Sequence, residues 1–197
     1  MRVLEAEQVI EKFKTTGAML EGHFILSSGL HSNVYLQCAL VLQFPDQAEE
    51  LGRAIAERFQ AKGIQLVASP AIGGIVIGHE VARALGARFV WTERENGKMI
   101  LRRGFTVSPN EKTLVVEDVI TTGGSTRETV AALQLAGANV MAAASIIDRS
   151  SGEADVGVPR YALATLLVTS VDPSVCEACR RGETAIKPGS RTRKQEQ

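Results

Sequence analysis

The sequence has no apolar run long enough to cross a membrane. A membrane-spanning helix takes about 20 consecutive apolar residues, and polar or charged side chains interrupt every apolar stretch of this chain before that length. The first residues, MRVLEAEQVIEKFKTTG, are charged throughout and contain no apolar signal core. We therefore expect no membrane partner and a cytoplasmic location.

A surplus of one charge sign is also missing. The 197 residues include 22 lysines and arginines and 22 aspartates and glutamates, so the formal net charge is zero. A general binder of nucleic acid or anionic membrane would need a basic surplus. The composition therefore predicts no nucleic-acid partner, although a local basic site is compatible with it. The length suits one domain with a real core.

Cysteine is scarce, with three in the chain. Cys38 stands alone in an apolar stretch, and Cys176 and Cys179 form a single CxxC. A zinc site would require two more ligands, and the histidines are distant in sequence: His23, His31 and His79. The spacing favours an incidental or redox-capable thiol pair over zinc, and we assign no metal ligands.

Helix-like and strand-like patterns alternate along the chain. Helices are predicted over residues 3–16, 46–62, 75–86 and 125–136. Strands are predicted over residues 64–69, 87–92, 113–118, 139–148 and 161–168. Asp46 and Glu49 have the spacing of a capping box. The alternation predicts an α/β fold with a mostly parallel central sheet and helices on both faces.

Two glycine-rich loops follow strands of this sheet, where parallel sheets bind their ligands. They are PAIGG, residues 70–74, and VITTGGS, residues 119–125. The chain contains no GxxxxGK[ST], and AIGGIVIG does not match GxGxxG. The loops therefore belong neither to a P-loop nor to the common dinucleotide fingerprint.

The second loop has the features of a phosphate site next to two acids. Its glycines let backbone N–H groups turn inward, and its hydroxyl side chains can donate: Thr121, Thr122, Gly123, Gly124 and Ser125. A helix begins near Ser125, so its positive dipole end faces the same point. Glu117 and Asp118 would repel a bare phosphate, but they can accept hydrogen bonds from sugar hydroxyls or help hold a divalent metal. The segment predicts a site for a sugar phosphate.

The segment VVEDVITTGGST resembles the 5-phosphoribosyl 1-diphosphate (PRPP) signature of the type I phosphoribosyltransferases. In that family two acids follow an apolar strand, and a Thr/Gly-rich loop follows two variable residues. The resemblance implies that Glu117 and Asp118 contact the ribose hydroxyls and that the loop holds the 5′-phosphate. PAIGG resembles the family's pyrophosphate loop. The resemblance thus adds four PRPP-binding residues: Val119, Ile120, Ile72 and Gly73.

Other segments resemble the orotate phosphoribosyltransferases, in order along almost the entire chain. GHFILSSGLHSNVYLQ, residues 22–37, resembles their hood over the base, and IIDRS resembles the segment with an arginine on the orotate carboxylate. An arginine fork suits a planar carboxylate. The resemblance implies five orotate-binding residues: Phe24, Ser27, Ser28, Thr121 and Arg149. Apart from the resemblance, Arg149 could be a surface residue and Ser27-Ser28-Gly29 a plain turn.

The charged segment 93–104 predicts a mobile loop or an exposed hairpin and matches the family's catalytic lid least well. The best-known members carry an Arg-Lys pair, a second lysine and a histidine there, and this segment has no histidine. We align Arg94 and Lys98 with the catalytic cations and place Lys98 first. Arg102 and Arg103 either take part or are solvated.

The resemblance implies a single phosphoribosyltransferase domain over residues 1–197, with a hood of about residues 1–40 plus the C-terminal segment and a core of about residues 41–170. It implies Mg²⁺-dependent transfer of 5-phosphoribosyl from PRPP to orotate, giving orotidine 5′-monophosphate, the UMP precursor, and pyrophosphate. A homodimer with shared active sites is implied as well. Two alternatives are a phosphoribosyltransferase for another base and a PRPP-sensing regulatory protein of the same fold. The hood and Arg149 argue against the first, and the cationic lid and zero net charge argue against the second.

Overall fold

The computed structural model describes residues 4–26, 29–168 and 170–188. The α-helices are α1 Ala6–Thr15, α2 Ala39–Leu42, α3 Pro45–Glu57, α4 Gly74–Leu85, α5 Gly124–Leu135 and α6 Glu177–Arg180. The strands are β1 Met19–Ile25, β2 His31–Leu36, β3 Leu66–Pro70, β4 Arg88–Glu95, β5 Lys98–Leu101, β6 Lys112–Ile120, β7 Asn139–Asp148, β8 Arg160–Thr165 and β9 Ser170–Val171. None of the helices in these ranges is long and apolar enough to cross a membrane.

The described chain divides into two compact units. The large unit contains the described residues of 1–18 and 38–167, and the small unit contains those of 19–37 and 168–197. Helix α1, which the sequence placed with the hood, therefore belongs to the large unit.

The large unit is built on a six-stranded sheet with the strand order β5-β4-β3-β6-β7-β8. All neighbouring strands are parallel except the edge strand β5, which runs antiparallel to β4. Every residue of β3 is buried, as expected for a parallel strand covered on both faces. The predicted mostly parallel α/β sheet is confirmed.

Helices cover both faces of this sheet. Successive side chains of a strand point to opposite faces, so β3 contacts a different helix on each side. Leu66 and Ala68 of β3 pack in one apolar cluster with Val130 and Leu133 of α5. Ser69 points to the opposite face, where it lies against Gly78 of α4. The predicted layering is confirmed.

The boundaries and caps differ from the prediction in several places. The capping box at Asp46 is wrong, because α3 begins at Pro45 with Phe44 as its N-cap and no side-chain cap. That helix ends at Glu57, and Gly63 stops the following 3₁₀ turn with a φ of +65°. Residues 93–104 extend β4 into an exposed hairpin with β5, so the hairpin alternative is confirmed.

The small unit consists of the antiparallel sheet β1-β2-β9 and the C-terminal segment. These strands were not predicted, because their apolar residues do not alternate cleanly. The expectation that the histidines lie too far from the CxxC is wrong: His23 and His31 lie beside Cys176 and Cys179, because the sheet joins the two ends of the chain.

Candidate active site

The two acids lie at the carboxyl end of β6. Glu117 is buried, with 8% of its surface exposed, and its carboxylate accepts from the Asp118 N–H at 3.3 Å. Asp118 is half-buried, and its Oδ1 accepts from the Val119 N–H at 2.9 Å. The sheet thus fixes the direction of both carboxylates and leaves Asp118 within reach of a ligand.

The PAIGG loop lies directly against these acids. It joins β3 to α4, next to β6 in the sheet. A Cβ atom on Gly73 would lie 2.8 Å from both carboxylate oxygens of Asp118, and one on Gly74 would lie 3.2 Å from Glu117 Oε1. Glycine is therefore required for this close approach, whereas Ile72 is 84% exposed. The predicted convergence of the two loops is confirmed.

The Thr/Gly-rich loop turns sharply from β6 into α5. Gly123 has a φ of +74°, and a Cβ atom there would lie 2.8 Å from a methyl group of Val156. The hydroxyl-bearing residues Thr121, Thr122 and Ser125 are exposed. The Thr122 hydroxyl accepts from the Gly124 N–H at 3.5 Å, and the N-cap Gly123 has no side chain to cap α5. The next N–H groups of the first turn have no partner within the helix. The arrangement can bind a phosphate dianion.

Val119 and Ile120, the two residues between the acids and the loop, make hydrogen bonds within the end of the sheet. Ile120 is 1% exposed, and its carbonyl accepts from the Arg149 N–H at 2.8 Å. Val119 is half-buried and donates its N–H to Asp118.

Arg149 lies at the end of β7, beside the loop, because Ile120 and Asp148 are register partners in neighbouring strands. Asp148 is 3% exposed and accepts from the N–H and hydroxyl of Ser150 at 2.7 and 2.6 Å. Its other oxygen pairs with Arg160 of β8. This buried network, which the sequence did not suggest, fixes the backbone on both sides of Arg149.

Cys38 is a second residue that sequence reasoning missed. Its thiol is buried, and it lies close enough to Asp118 and Glu117 for their negative charges to act on it. Burial raises the pKa of this thiol well above its ordinary value, and the negative charge of Asp118 and Glu117 adds to the effect. Cys38 therefore stays protonated beside these acids. No sequence pattern indicated that Cys38 lies near these acids, because Cys38 and Asp118 are 80 positions apart in the chain.

Burial also raises the pKa of Glu117 well above the usual glutamate range, and the neighbouring Asp118 charge raises it further. In the folded chain this carboxyl keeps its proton at pH values where the unfolded chain has lost it. Its contribution to stability is thus complete below the unfolded pKa of about 4.3. That contribution decreases as the pH rises towards the folded pKa.

We therefore expect Glu117→Gln to flatten the pH dependence of stability. Above pH 4.3 or so, the free energy of unfolding of the wild type should fall by up to about 1.4 kcal/mol per pH unit more steeply than that of the variant. Denaturant titrations of the substrate-free protein at a series of pH values measure this. Exposed Glu153 supplies the control, because Glu153→Gln should follow the wild type. Parallel curves for Glu117→Gln and the wild type would contradict the assignment.

The β4–β5 hairpin carries the predicted lid cations. Arg94 pairs with Glu128 of α5 at 2.8 Å and donates to the Gly97 carbonyl. Arg103 pairs with Glu93, and Arg102 lies 3.6 and 3.5 Å from Glu93 and Glu95.

Lys98 differs from these arginines. It is exposed at the start of β5, and it forms no ion pair with any residue in the described ranges. Within the hairpin it is therefore the cation whose charge is not already balanced by a neighbouring carboxylate.

Phe24, one of the predicted base-contacting residues of the hood, belongs to the small unit. Phe24 is 6% exposed and contacts the Tyr35 ring at a centroid distance of 5.8 Å. Its strand is held to the C-terminal segment by hydrogen bonds from the Ile25 N–H to the Ile186 carbonyl and from the Ile186 N–H to the His23 carbonyl, both 2.8 Å. Ser27 and Ser28 lie outside the described residues.

Paired acids, a Thr/Gly-rich phosphate loop and a glycine loop meet at the carboxyl edge of a parallel sheet. Residues 41–166 match the family described as phosphoribosyl transferase domain. The chain therefore belongs to the phosphoribosyltransferases.

The relatives narrow this class. The chain is 54% identical over 185 residues to the orotate phosphoribosyltransferase of Pelotomaculum thermopropionicum, covering 94% of this chain and 97% of the relative. It is 49% identical over 185 residues to that of Thermotoga maritima, covering 94% and 97%. Within its class, the chain thus falls among the orotate phosphoribosyltransferases, and the resemblance noted in the sequence is confirmed.

Solved structures agree on the fold. The crystal structure of orotate phosphoribosyltransferase from Aeropyrum pernix matches with a TM-score of 0.66 and 27% identity, over 80% of this chain and 93% of that one. The adenine phosphoribosyltransferase from Rhodothermus marinus matches with a TM-score of 0.63 and 22% identity, over 81% and 99%. The second likeness concerns the fold alone. The type I phosphoribosyltransferase fold is confirmed.

Proposed function

We propose that this chain transfers the 5-phosphoribosyl group from PRPP to N1 of orotate, giving orotidine 5′-monophosphate and pyrophosphate. The observation that carries the proposal is the meeting of Asp118, the Gly73 loop and the Thr121–Ser125 loop at one sheet edge. Relatives with this activity cover almost the full chain. The predicted cytoplasmic location and the homodimer with shared active sites remain predictions.

The phosphate loop and the paired acids bind different groups of PRPP. In the proposed complex the 5′-phosphate accepts hydrogen bonds from the loop hydroxyls and from the first N–H groups of α5. The ribose hydroxyls donate to Asp118 and Glu117. The pyrophosphate lies along the loop at Ile72 and Gly73, next to Asp118, as the family resemblance implies. Each group of the donor thus meets a complementary set of atoms.

The residues present fit Mg²⁺. This ion is held in proteins by one or two carboxylates together with substrate phosphates and waters. Asp118 and Glu117 supply two adjacent carboxylates, and the described residues bring no third acid or histidine within metal-binding distance of them. Asp118, which is half-buried, is the carboxylate placed to reach such an ion. When bound, the ion offsets negative charge on the leaving pyrophosphate.

The chain's own cations act on the same charge. Breaking the bond at the anomeric carbon leaves positive charge on the ribose and negative charge on the pyrophosphate. Lys98, brought close by the hairpin, stabilises that negative charge, and Arg94 is the second predicted catalytic cation on the same hairpin. Fixed charges of this kind are most effective in a site closed to water.

Orotate binds through its carboxylate to Arg149, with Thr121 beside it. Because the reacting form of orotate is the anion that has already lost its N1 proton, N1 attacks the anomeric carbon without an activating base as the bond to the pyrophosphate oxygen breaks. A nucleophilic side chain is therefore unnecessary, in agreement with the protonated state of Cys38.

Uracil, which is orotate without the carboxylate, gives the sharpest test. With PRPP and Mg²⁺, we expect kcat/KM for orotate to exceed that for uracil by about 1000-fold or more, because uracil lacks the carboxylate that Arg149 is proposed to bind in paired geometry. Pyrophosphate release and product chromatography measure the rates, with adenine as a third base. A preference for adenine would assign another base, and PRPP binding without pyrophosphate release from any base would indicate a sensor.

A further inference from the structure

The small unit contains a cluster of four metal-ligating side chains that the proposed reaction does not use. His23 of β1, His31 of β2, Cys176 and Cys179 place one ligand atom each within 4.8 Å of one another. Three of the four residues are buried, and Cys179 is partly buried. We propose that these residues form a structural Zn²⁺ site that joins the β1–β2 hairpin to the C-terminal segment.

The distances suit a tetrahedral ion. Zinc bonds of about 2.0–2.1 Å to nitrogen and 2.3 Å to sulfur put neighbouring ligand atoms about 3.3–3.8 Å apart. Cys176 Sγ lies 3.4 Å from His23 Nε2, and Cys179 Sγ lies 3.7 Å from the same nitrogen and 3.3 Å from His31 Nδ1. The two nitrogens are 2.7 Å apart and would separate by roughly 0.6 Å around the ion.

A hydrogen bond at one ring nitrogen of His23 leaves the other nitrogen as the zinc ligand. Its Nδ1 lies 3.0 Å from the Glu183 carbonyl, which can accept only if Nδ1 carries the proton. Nε2 of the neutral ring is then a lone-pair donor aimed at both sulfurs and at His31. A histidine ligand whose other nitrogen is held by a carbonyl is the usual arrangement at protein zinc sites.

The charges of a filled zinc site would balance. Two thiolates and one Zn²⁺ sum to zero, so the filled site puts no net charge into the buried interior. Two sulfurs and two nitrogens in a tetrahedral arrangement are the donor set that zinc prefers. Four protein ligands leave no open position, so the ion would be structural and would not bind substrate.

The small unit needs such a link because its apolar core is minimal. Among its described residues, the buried apolar side chains are Phe24, Leu36 and Cys176. Units of a few tens of residues with so little core usually depend on disulfides or metals. The three cysteines are free thiols, which leaves the metal as the available cross-link.

The full-length protein, purified without chelator, should contain about one zinc ion per chain by mass spectrometry of the metal. Cys176→Ser/Cys179→Ser and His31→Ala should lose it. His31→Cys should keep it, because cysteine supplies a replacement ligand. His79→Ala, which removes the histidine outside the cluster, is the matched control and should keep its zinc.

A readout independent of folding uses cobalt. Replacing the metal of the wild type with Co²⁺ should give the visible bands of tetrahedral cobalt and a thiolate charge-transfer band, and His31→Cys should strengthen the latter. Chelation should raise deuterium uptake in residues 19–26, 29–37 and 170–188, with far less change in β6 and β7. A metal-free wild type that gives no cobalt bands, a Cys176–Cys179 disulfide in the fresh protein, or full zinc in the double serine variant would each overturn the proposal.

Discussion

Lys98→Ala is expected to lower the turnover of the proposed reaction by about a hundredfold or more. Removing one fixed group that stabilises charge in a transition state typically costs this much. Lys98 is exposed on the hairpin, and its charge is not balanced by a carboxylate in the described part of the chain. The binding of PRPP should change far less, because leaving-group charge develops only as the bond breaks. Steady-state rates and equilibrium binding of PRPP separate the two effects.

Arg102→Ala is the matched control on the same hairpin. Arg102 already lies near Glu93 and Glu95, so its loss should change turnover only a few-fold. Equal losses for the two variants would show that the hairpin's total charge matters and that Lys98 has no special role. If Lys98→Ala had the turnover of the wild type, Lys98 would not be a catalytic residue.

Arg149→Ala is expected to lower kcat/KM for orotate by about a hundredfold or more. Truncating one partner of a desolvated charge pair costs about 2–5 kcal/mol, and 1.4 kcal/mol is about a factor of ten. The KM for PRPP should stay close to that of the wild type, because Arg149 follows β7 and the phosphate loop follows β6. Initial rates with each substrate varied in turn measure both values.

The discrimination between orotate and uracil makes this test specific. If Arg149 binds the carboxylate, the variant should lose most of its preference for orotate while its slow rate with uracil stays nearly the same. Arg149→Lys should fall between the two, because a lysine keeps the charge and loses the paired geometry. Exposed Arg53 provides a control arginine. Equal losses for both bases would assign Arg149 a structural role.

The sequence determined the sheet and the phosphate loop because both depend on patterns within a few residues. One short stretch contains the apolar residues TLVV, the acids Glu117 and Asp118 and, after four more residues, two glycines. The strand, its end and the start of the next helix could therefore be predicted together. The convergence of the two glycine-rich loops followed from one general rule, since the ends of neighbouring parallel strands meet at one edge.

Only the tertiary structure decided the partners of isolated side chains. Packing between segments distant in sequence places Cys38 near Asp118 and pairs Arg160 with Asp148. It also leaves Lys98 without an ion pair among the described residues, beside three paired arginines. The histidines and the CxxC are the clearest case, because 153 positions separate His23 from Cys176. A sheet that pairs β2 with β9 brings them together, and local periodicity carries no information about such long-range pairing.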